Sequence, residues 1–364
     1  MPLAAHAVSL REASFDDYPR IAALETRCNL GSRPFDDWRA FWLENPEYLR
    51  HRQWPIGWVL ENGDGNIIGS MCNIPLGYEF EGERITAATG RGWVVDPDYR
   101  SYACLLLDEL FQQKYVDLFL NTTVNRYAAE AYRTFDSPPV PAGQWDRSAF
   151  WITNYRGFAR SYLAAKRWTG GSLLSAPAAA ALFLKDKLTE VSVPGRDTSL
   201  VTREEGFDER FDVFWEELRR RKRHVVLAVR SRETLAWHLR YHLRKKRLYI
   251  LTMSSGRRLV AYSVFCRKEE ESYGLKHVRL IDYQSLDDGE SLAPMLSWMV
   301  RRCRVDGVHM LEDVGCSMHE TAAPHHRQLS SWLFYYKANR PALVRELSDP
   351  AKWQTSLFDG DSSL

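Results

Sequence analysis

The chain has 364 residues, of which 45% are hydrophobic and 26% charged, with a formal net charge of +2 at pH 7. This length and composition predict two folded units rather than one domain or a disordered chain. The near-neutral charge gives no overall attraction to nucleic acid or anionic membranes, and six cysteines without a Cys-x-x-Cys pair favour a reduced, cytoplasmic protein over a disulfide or zinc framework.

The first half of the chain carries alternating strand and helix signals. Ser14 fits a helix N-cap, and the run Asn62-Gly63-Asp64-Gly65 is typical of a hairpin turn. The predicted elements, in chain order, are a strand over 8–12, a helix after Ser14, a helix over 35–43, strands over 56–60 and 66–80, a strand ending at Val95, a helix over 101–114, a strand over 116–121, a helix over 125–135, and closing strands over 144–146 and 148–155.

The second half repeats this order without obvious sequence identity. Its predicted elements are helices over 207–220 and 231–243, strands over 248–253, 258–267 and 278–283, a helix over 291–305 and a strand over 308–313. We therefore predict an N-terminal unit over 1–165, a helical connector over 166–190 with a break at 169–171, and a C-terminal unit over 191–364. The apolar run 173–184 in the connector is too short to span a bilayer, although contact with a membrane surface stays open.

The segment from Gly92 to Leu105 carries the clearest functional signal. An apolar strand ends at Val95, a turn with Pro97 follows, and an amphipathic helix begins near Ser101. Such a turn directs unpaired backbone N–H groups and the positive end of the helix at one spot. That arrangement suits a phosphate group.

The order of these residues resembles the acyl-CoA pyrophosphate loop of the GNAT acyltransferase superfamily, Q/R-x-x-G-x-G/A. Arg100 matches its first position, Ala103 stands where the first Gly is expected, and Leu105 stands at the second small position. The resemblance implies an α/β (α+β) fold built from tandem GNAT units, each a mixed, mostly antiparallel sheet flanked by helices. By resemblance the acyl-CoA-binding residues are Val94, Val95, Arg100, Ser101, Tyr102, Ala103, Cys104, Leu105 and Asn125.

A second match begins at Asn125 and places Tyr132 seven residues later. Two helical turns separate these positions, so both side chains share one helix face. In the GNAT superfamily this Asn contacts the pantetheine arm and the Tyr lies near the thioester sulfur. The resemblance implies that Tyr132 protonates the departing thiolate as a general acid; packing beneath Phe135 is the alternative role. The general base is not identified by the sequence.

The resemblance thus implies transfer of an acyl group, in the first place acetyl, from acyl-CoA to the amine of a small molecule, sugar or peptide, with no metal and no nucleic acid partner. The C-terminal unit lacks the phosphate loop, because Asp287, Asp288 and Glu290 occupy the matching turn. Two alternatives remain: an aminoacyl-tRNA-dependent transferase of the peptidoglycan type, or a non-catalytic binding protein. The run 359–361 is expected to belong to a frayed tail, and contact of its carboxylates with a cationic substrate amine is the alternative.

Overall fold

A computed structural model describes residues 8–51, 53–168, 171–188, 197–287, 291–315, 325–329 and 333–364. Its helices are α1 Tyr18–Arg27, α2 Phe35–Leu43, α3 Pro46–Arg50, α4 Ala103–Phe111, α5 Ala129–Thr134, α6 Tyr155–Ala165, α7 Gly171–Leu188, α8 Glu209–Arg221, α9 Arg232–His238, α10 Arg240–Arg244, α11 Leu292–Val305 and α12 Pro341–Glu346. Its strands are β1 Ser9–Glu12, β2 Gly57–Glu61, β3 Ile67–Phe80, β4 Glu83–Val95, β5 Leu118–Val124, β6 Gln144–Ile152, β7 Val201–Glu204, β8 Leu227–Ala228, β9 Leu248–Ser255, β10 Arg258–Glu270, β11 Leu275–Ser285, β12 Met310–Gly315, β13 His325–Gln328 and β14 Leu333–Ala338.

Local signals account for most of the element boundaries. Asp17 accepts a hydrogen bond from the backbone N–H of Ser14 at 2.8 Å, which fixes the chain ahead of α1. The β3–β4 hairpin turns through Glu81 and Gly82, both at positive φ, as a tight hairpin turn requires. The helix predicted over 101–114 begins instead as a 3-10 segment over Pro97–Tyr102 and becomes α4 at Ala103.

In the part of the chain that the structure describes, two seven-stranded sheets form the scaffold. The first has the order β1-β2-β3-β4-β5-β14 with β8 beside β3, and the second has the order β13-β6-β12-β11-β10-β9-β7. Neighbouring strands are antiparallel except β4 with β5 and β11 with β12, which are parallel. These two parallel pairs are connected through α4 and α11, so each sheet has the same antiparallel-then-parallel order. The predicted α+β class and its repetition are confirmed.

The two sheets exchange their closing strands. The segment predicted to close the first sheet, now β6, lies in the second sheet between β12 and β13. Its place beside β5 is taken by β14, from the far end of the chain. Strand pairing depends on the neighbour available in space, which local sequence patterns do not specify. Division of the chain at 165 and 190 stays a prediction.

The C-terminal segment Leu357–Leu364 is buried along its whole length, so the expectation of a frayed tail at 359–361 is wrong. The Tyr78 hydroxyl donates to the Asp359 carboxylate at 3.0 Å, and the His238 ring lies 2.7 Å from the Ser363 hydroxyl. The segment therefore joins β3 of the first sheet to α9 of the second half. Across the described ranges, no helix has the length and apolar character needed to cross a membrane.

Candidate functional site

The strands β4 and β5 separate shortly after they begin. Their parallel pairing consists of Ala87 with Leu118 and Ala88 with Phe119. Two residues further on, the backbone N–H of Gly90 donates instead to the side-chain oxygen of Asn121 at 2.8 Å. The remainder of β4, residues 90–95, is half-buried rather than buried. A cleft therefore opens along the edge of β4 that faces β5.

A β-bulge changes the direction of side chains along this part of β4. Val94 pairs with Ser70 and Arg91 pairs with Cys72, so β4 has one residue more than β3 between these pairs. Gly92 takes up the irregularity with a φ of +66°, a conformation that glycine adopts without strain. Arg91 contacts the ring of Phe41 in α2, whereas Trp93 contacts Tyr132 in α5. The backbone of β4 thus separates a chamber beside α2 from an aromatic cluster beside α5.

The segment that follows β4 carries most of the residues predicted to bind acyl-CoA. Val94 and Val95 are half-buried at the strand end, and Tyr102 and Ala103 are half-buried where α4 begins. Ala103 has a φ of −57°, so the alanine in place of glycine causes no backbone strain. Solvent-exposed side chains cover the rest of the segment: Arg100, Ser101, Cys104 and Leu105.

The start of this helical segment has no side-chain cap. Neither Asp96, ahead of the 3-10 segment, nor Tyr102, ahead of α4, uses its side chain to cap the helix. Asp96 pairs instead with Arg27 at 2.8 Å. Among the described residues, no carboxylate lies within ion-pair distance of Arg100. A free cation beside uncapped backbone N–H groups is the arrangement expected of an anion site.

The structure separates the two residues predicted on the next helix. Asn125 is exposed, and its side-chain oxygen accepts hydrogen bonds from the N–H groups of Tyr127 and Ala128 at 3.0 and 2.9 Å, so this oxygen caps the turn into α5. Tyr132 is 4% exposed and packs against the rings of Trp93, Phe111 and Tyr335. Asn125 and Tyr132 therefore do not meet at one point.

The Tyr132 hydroxyl stays protonated across the physiological range. Burial raises the pKa of Tyr132 well above its usual value, and the negative charge of Asp361 raises it further. A protonated hydroxyl is able to donate a hydrogen bond to a departing thiolate, but a phenol with a raised pKa is a weaker acid than a thiol with its ordinary pKa near 8.5, so the raised pKa does not itself favour proton transfer.

The chamber beside α2 is a cavity of about 200 Å³. Its walls combine apolar side chains with four charged groups, and the backbone of Gly92 forms part of its floor; the lining residues used below are Glu25, Arg33, Trp38, Phe41, Arg91 and Asp361. Because Gly92 belongs to the unpaired part of β4, the cavity reaches the edge of the cleft. Charged groups from α1, β4 and the C-terminal segment thus meet at one place.

Glu25 is the carboxylate best placed for proton transfer. It is 8% exposed, and a Cβ added at Gly92 would lie 3.0 Å from one of its oxygens, so the carboxylate lies against the β4 backbone. Burial raises the pKa of Glu25, and the nearby positive charge of Arg91 partly opposes this rise. A carboxylate with a raised pKa is a stronger base than an exposed one.

Asp361 has its carboxylate engaged by β5. One oxygen accepts from the backbone N–H of Thr122 at 3.1 Å, and the other accepts from the Thr123 hydroxyl. These hydrogen bonds hold the C-terminal segment across the opening between β4 and β5. Asp361 therefore shapes the cavity and contributes negative charge, while Glu25 retains free oxygens.

Sequence reasoning missed Glu25, Arg33 and Arg91, and it favoured a frayed tail for Asp361, which in the structure lines the cavity. One signal was present for Glu25, since it lies four residues after Ile21 on the helix face that also buries Leu24. A charged residue on the buried face of an amphipathic helix is uncommon and indicates a specific role for that residue. Asp361 carried no comparable signal, because its position depends on a contact with Thr122 from a distant part of the chain.

No protein-family model matches the sequence, and no curated protein matches it. Solved structures match in fold. A GCN5-related N-acetyltransferase from Anabaena variabilis ATCC 29413 matches with a TM-score of 0.56 at 12% identity, over 91% of this chain and 73% of that one. Saccharomyces cerevisiae N-myristoyltransferase with bound myristoyl-CoA matches with a TM-score of 0.55 at 10% identity, over 93% and 80%. A GCN5-related N-acetyltransferase from Kribbella flavida matches with a TM-score of 0.53 at 12% identity, over 92% and 71%.

The class is therefore defined at the level of the fold. Each match covers more than nine-tenths of this chain, so it includes both sheets rather than one. The chain shares the fold of these solved structures, in agreement with the fold that the resemblance in the loop after β4 implied. At these identities the likeness concerns the fold, and the chemistry has to be argued from the cleft itself.

Proposed function

We propose that the protein is an N-acyltransferase that moves an acyl group from acyl-CoA to an amine. One observation carries the proposal: the separated end of β4 lies between a cavity lined by Glu25 and an aromatic cluster that contains the protonated hydroxyl of Tyr132. A base on one side of a strand edge and an acid on the other match the two proton transfers that this reaction requires.

The donor is proposed to lie along the cleft, with its pyrophosphate at Pro97–Leu105. Uncapped N–H groups and Arg100 supply positive potential there. Deeper in the cleft, the side-chain nitrogen of Asn121 and the hydroxyl of Thr89 are buried without a hydrogen-bond partner. Buried polar atoms of this kind are costly unless a ligand satisfies them, and the amide groups of a pantetheine arm have the chemistry to do so.

The acceptor is proposed to enter the cavity beside α2 as an ammonium ion. Glu25 takes one proton from it and leaves a neutral amine close to the backbone of Gly92. The nitrogen lone pair then forms the C–N bond at the thioester carbonyl, and the C–S bond breaks. Tyr132 protonates the sulfur, and the second proton lost by the nitrogen restores the hydroxyl of Tyr132 through solvent, so atoms and charge balance.

Backbone N–H groups at the β4 bulge are proposed to stabilise charge on the thioester oxygen. The bulge leaves an extra residue outside the regular ladder with β3, and β5 has turned away from this part of β4. Fixed donors that need no reorganisation are the most effective way to stabilise such an oxygen. The free thiols of the described cysteines support the proposed cytoplasmic location, where acyl-CoA is present.

Donor binding gives the first test. Acetyl-CoA and longer acyl-CoA thioesters are added to the full chain, and the free energy of unfolding is measured. The control is the same measurement with adenosine diphosphate in place of the thioester. A ligand at 100 times its dissociation constant raises the free energy of unfolding by about 2.7 kcal/mol. A shift with acyl-CoA, together with amine-dependent release of free thiol, supports the proposal. Absence of any shift with every acyl chain length overturns it and leaves the aminoacyl-tRNA or non-catalytic alternatives.

A further inference from the structure

Two arginines share the cavity with Glu25. The guanidinium of Arg91 lies 5.2 Å from the ring centre of Phe41, and that of Arg33 lies 6.0 Å from the same ring centre. Arg33 also stacks over the ring of Tyr241 at 3.7 Å. Both guanidinium groups therefore lie near the ring of Phe41, and aromatic surfaces orient a guanidinium without neutralising it.

Neither arginine has a carboxylate side chain as partner within the described ranges. Arg33 donates through Nη2 to a main-chain oxygen of Leu364, and its buried Nη1 has no hydrogen-bond partner. Arg91 reaches a main-chain oxygen of Asp361 at 3.5 Å, the outer limit of a hydrogen bond. Burial and the adjacent charge of Arg91 lower the pKa of Arg33 to about 10, as expected for two cations without a shared anion.

The acids of the cavity do not neutralise this pair. Glu25 is near enough to Arg91 for its pKa to be affected, yet the two groups are beyond ion-pair distance. The carboxylate of Asp361 accepts from Thr122 and Thr123 instead. Among the described residues, the side-chain carboxylates that line the cavity thus leave both guanidinium groups without an ion-pair partner.

We infer that the acceptor amine carries a carboxylate, which Arg33 and Arg91 bind while Glu25 receives the ammonium end. A guanidinium pair binds a carboxylate through paired N–H donors, and a cavity of about 200 Å³ holds a molecule the size of an amino acid. The acceptor class is therefore a free amino acid, or a peptide whose first residue has an acidic side chain. This inference rests on the proposed function in so far as it names the acceptor of an acyl group. The binding of a carboxylate by the two arginines does not depend on that function.

The test compares acceptors that differ only in the anion. Glycine is compared with glycinamide, and glutamate with glutamine amide, both in acyl transfer from acetyl-CoA and in binding to the full chain by calorimetry without donor. A peptide beginning with Asp and its Asn counterpart distinguish the peptide source from the free amino acid. We expect carboxylates to be favoured in kcat/KM and in affinity by about tenfold or more, the usual effect of a charged hydrogen-bond pair.

Variants assign that preference to the two arginines. Arg91→Gln and Arg33→Met are expected to reduce the carboxylate preference to near unity, mainly through KM, while Arg91→Lys retains part of it because the charge remains. Arg203→Met is the matched control, since Arg203 also lies over a tyrosine ring, that of Tyr249 at 5.2 Å, but belongs to β7 of the other sheet. The Arg203→Met variant should favour carboxylate-bearing acceptors over their amides to the same extent as the unchanged protein.

The two proposals fail in different ways. Acylation of amines and amino acids at equal rates by the unchanged protein overturns the inference and leaves the acyltransferase intact. Arginine-dependent binding of amino acids without any acyl transfer overturns the proposed function and supports the anion site. A preference that persists in both arginine variants, with normal folding by circular dichroism, also overturns the inference.

Discussion

The carboxylate of Asp361 accepts a hydrogen bond from the backbone N–H of Thr122 at 3.1 Å, across a separation of 239 residues. In a parallel sheet, an N–H group on this strand would ordinarily pair with the neighbouring strand. Here β4 has turned away, so the C-terminal segment satisfies β5 in its place. The cleft is thereby kept open on the β4 side, and its far wall is supplied by a segment from the opposite end of the chain.

The first prediction concerns how closely this segment fits β5. Gly360 has a φ of +61°, and a Cβ added there would lie 2.6 Å from the Thr122 side chain. Gly360→Ala is expected to lower the free energy of unfolding by about 3 kcal/mol, because left-handed strain adds to a steric clash. Gly256→Ala is the control, since Gly256 has nearly the same φ of +62° but open space around it, and it should lose only about 1 kcal/mol. Equal losses in denaturant titrations would contradict the proposed fit.

The second prediction concerns Glu25 as the base. Glu25→Gln is expected to lower kcat by about 10²-fold or more, and to remove the fall in rate that the unchanged protein shows as the pH drops through the raised pKa of Glu25. The pKa of Glu25 is raised in the folded protein, so folding favours its protonated form. Glu25 therefore contributes to the free energy of unfolding at low pH, and this contribution is lost as the pH rises through the raised pKa. The variant should therefore be no less stable than the unchanged protein at pH 7.

Glu130→Gln provides the matched control for Glu25, because Glu130 is an exposed carboxylate on α5 whose one ion-pair partner among the described residues is Arg133. It should keep both the rate and the pH profile of the unchanged protein. If the rate of Glu25→Gln still falls as the pH drops, the group that titrates is the acceptor amine or another carboxylate. Glu25 would then not be the base.

Local sequence signals predicted the parts of the site that are built from consecutive residues. The turn after Val95 and the helix behind it follow from one strand-to-helix pattern, and α2 has the predicted bounds of Phe35–Leu43. Gly92 within an apolar strand was also a signal, since glycine inside a strand often marks a bulge. That bulge sets whether a β4 side chain points to the cavity beside α2 or to the aromatic cluster beside α5.

The parts that depend on distant pairing were beyond such signals. The sheet assignment of β6 is set by β12, more than 150 residues away, through pairs such as Ala149 with Asp313. The burial of Asp361 depends in the same way on Thr122. A polar run of Asp, Gly and Ser at the end of a chain reads locally as solvent-exposed, and only its partners in space make it a wall of the cavity.

The third prediction concerns Tyr132 as the acid. Tyr132→Phe is expected to lower kcat by about 10²-fold with little effect on donor affinity, because the hydroxyl acts on the leaving group. A thioester donor with a more acidic thiol has a better leaving group, which depends less on protonation. With such a donor, the difference in kcat between Tyr132→Phe and the unchanged protein should be smaller. Tyr335→Phe is the control, since its ring lies 5.7 Å from that of Tyr132 in the same aromatic cluster. Unchanged turnover in Tyr132→Phe would leave this residue a packing role.

The last prediction concerns the pH dependence of stability at Asp359. Burial raises the pKa of Asp359 to about 6, whereas an unfolded aspartate has a pKa of about 3.9. The raised value means that the folded protein favours the protonated carboxyl, so this contribution to stability is present below about pH 4 and is lost as the pH rises through about 6. Asp359→Asn removes the titration. The variant's free energy of unfolding, relative to the unchanged protein, should therefore improve by about 3 kcal/mol between pH 4 and pH 7.5.

Two features of the surroundings make this measurement specific. His238, beside the same segment, has a pKa lowered to about 3 by burial, and it acts in the opposite sense because its stability contribution is lost as the pH falls below about 6.5. It remains in both proteins and cancels from the difference. Asp64→Asn, in the exposed turn between β2 and β3, should show no such change with pH. A constant difference between Asp359→Asn and the unchanged protein across this range would mean that Asp359 is already ionised at pH 4, with the hydrogen bonds from Tyr78 and Ser356 outweighing its burial.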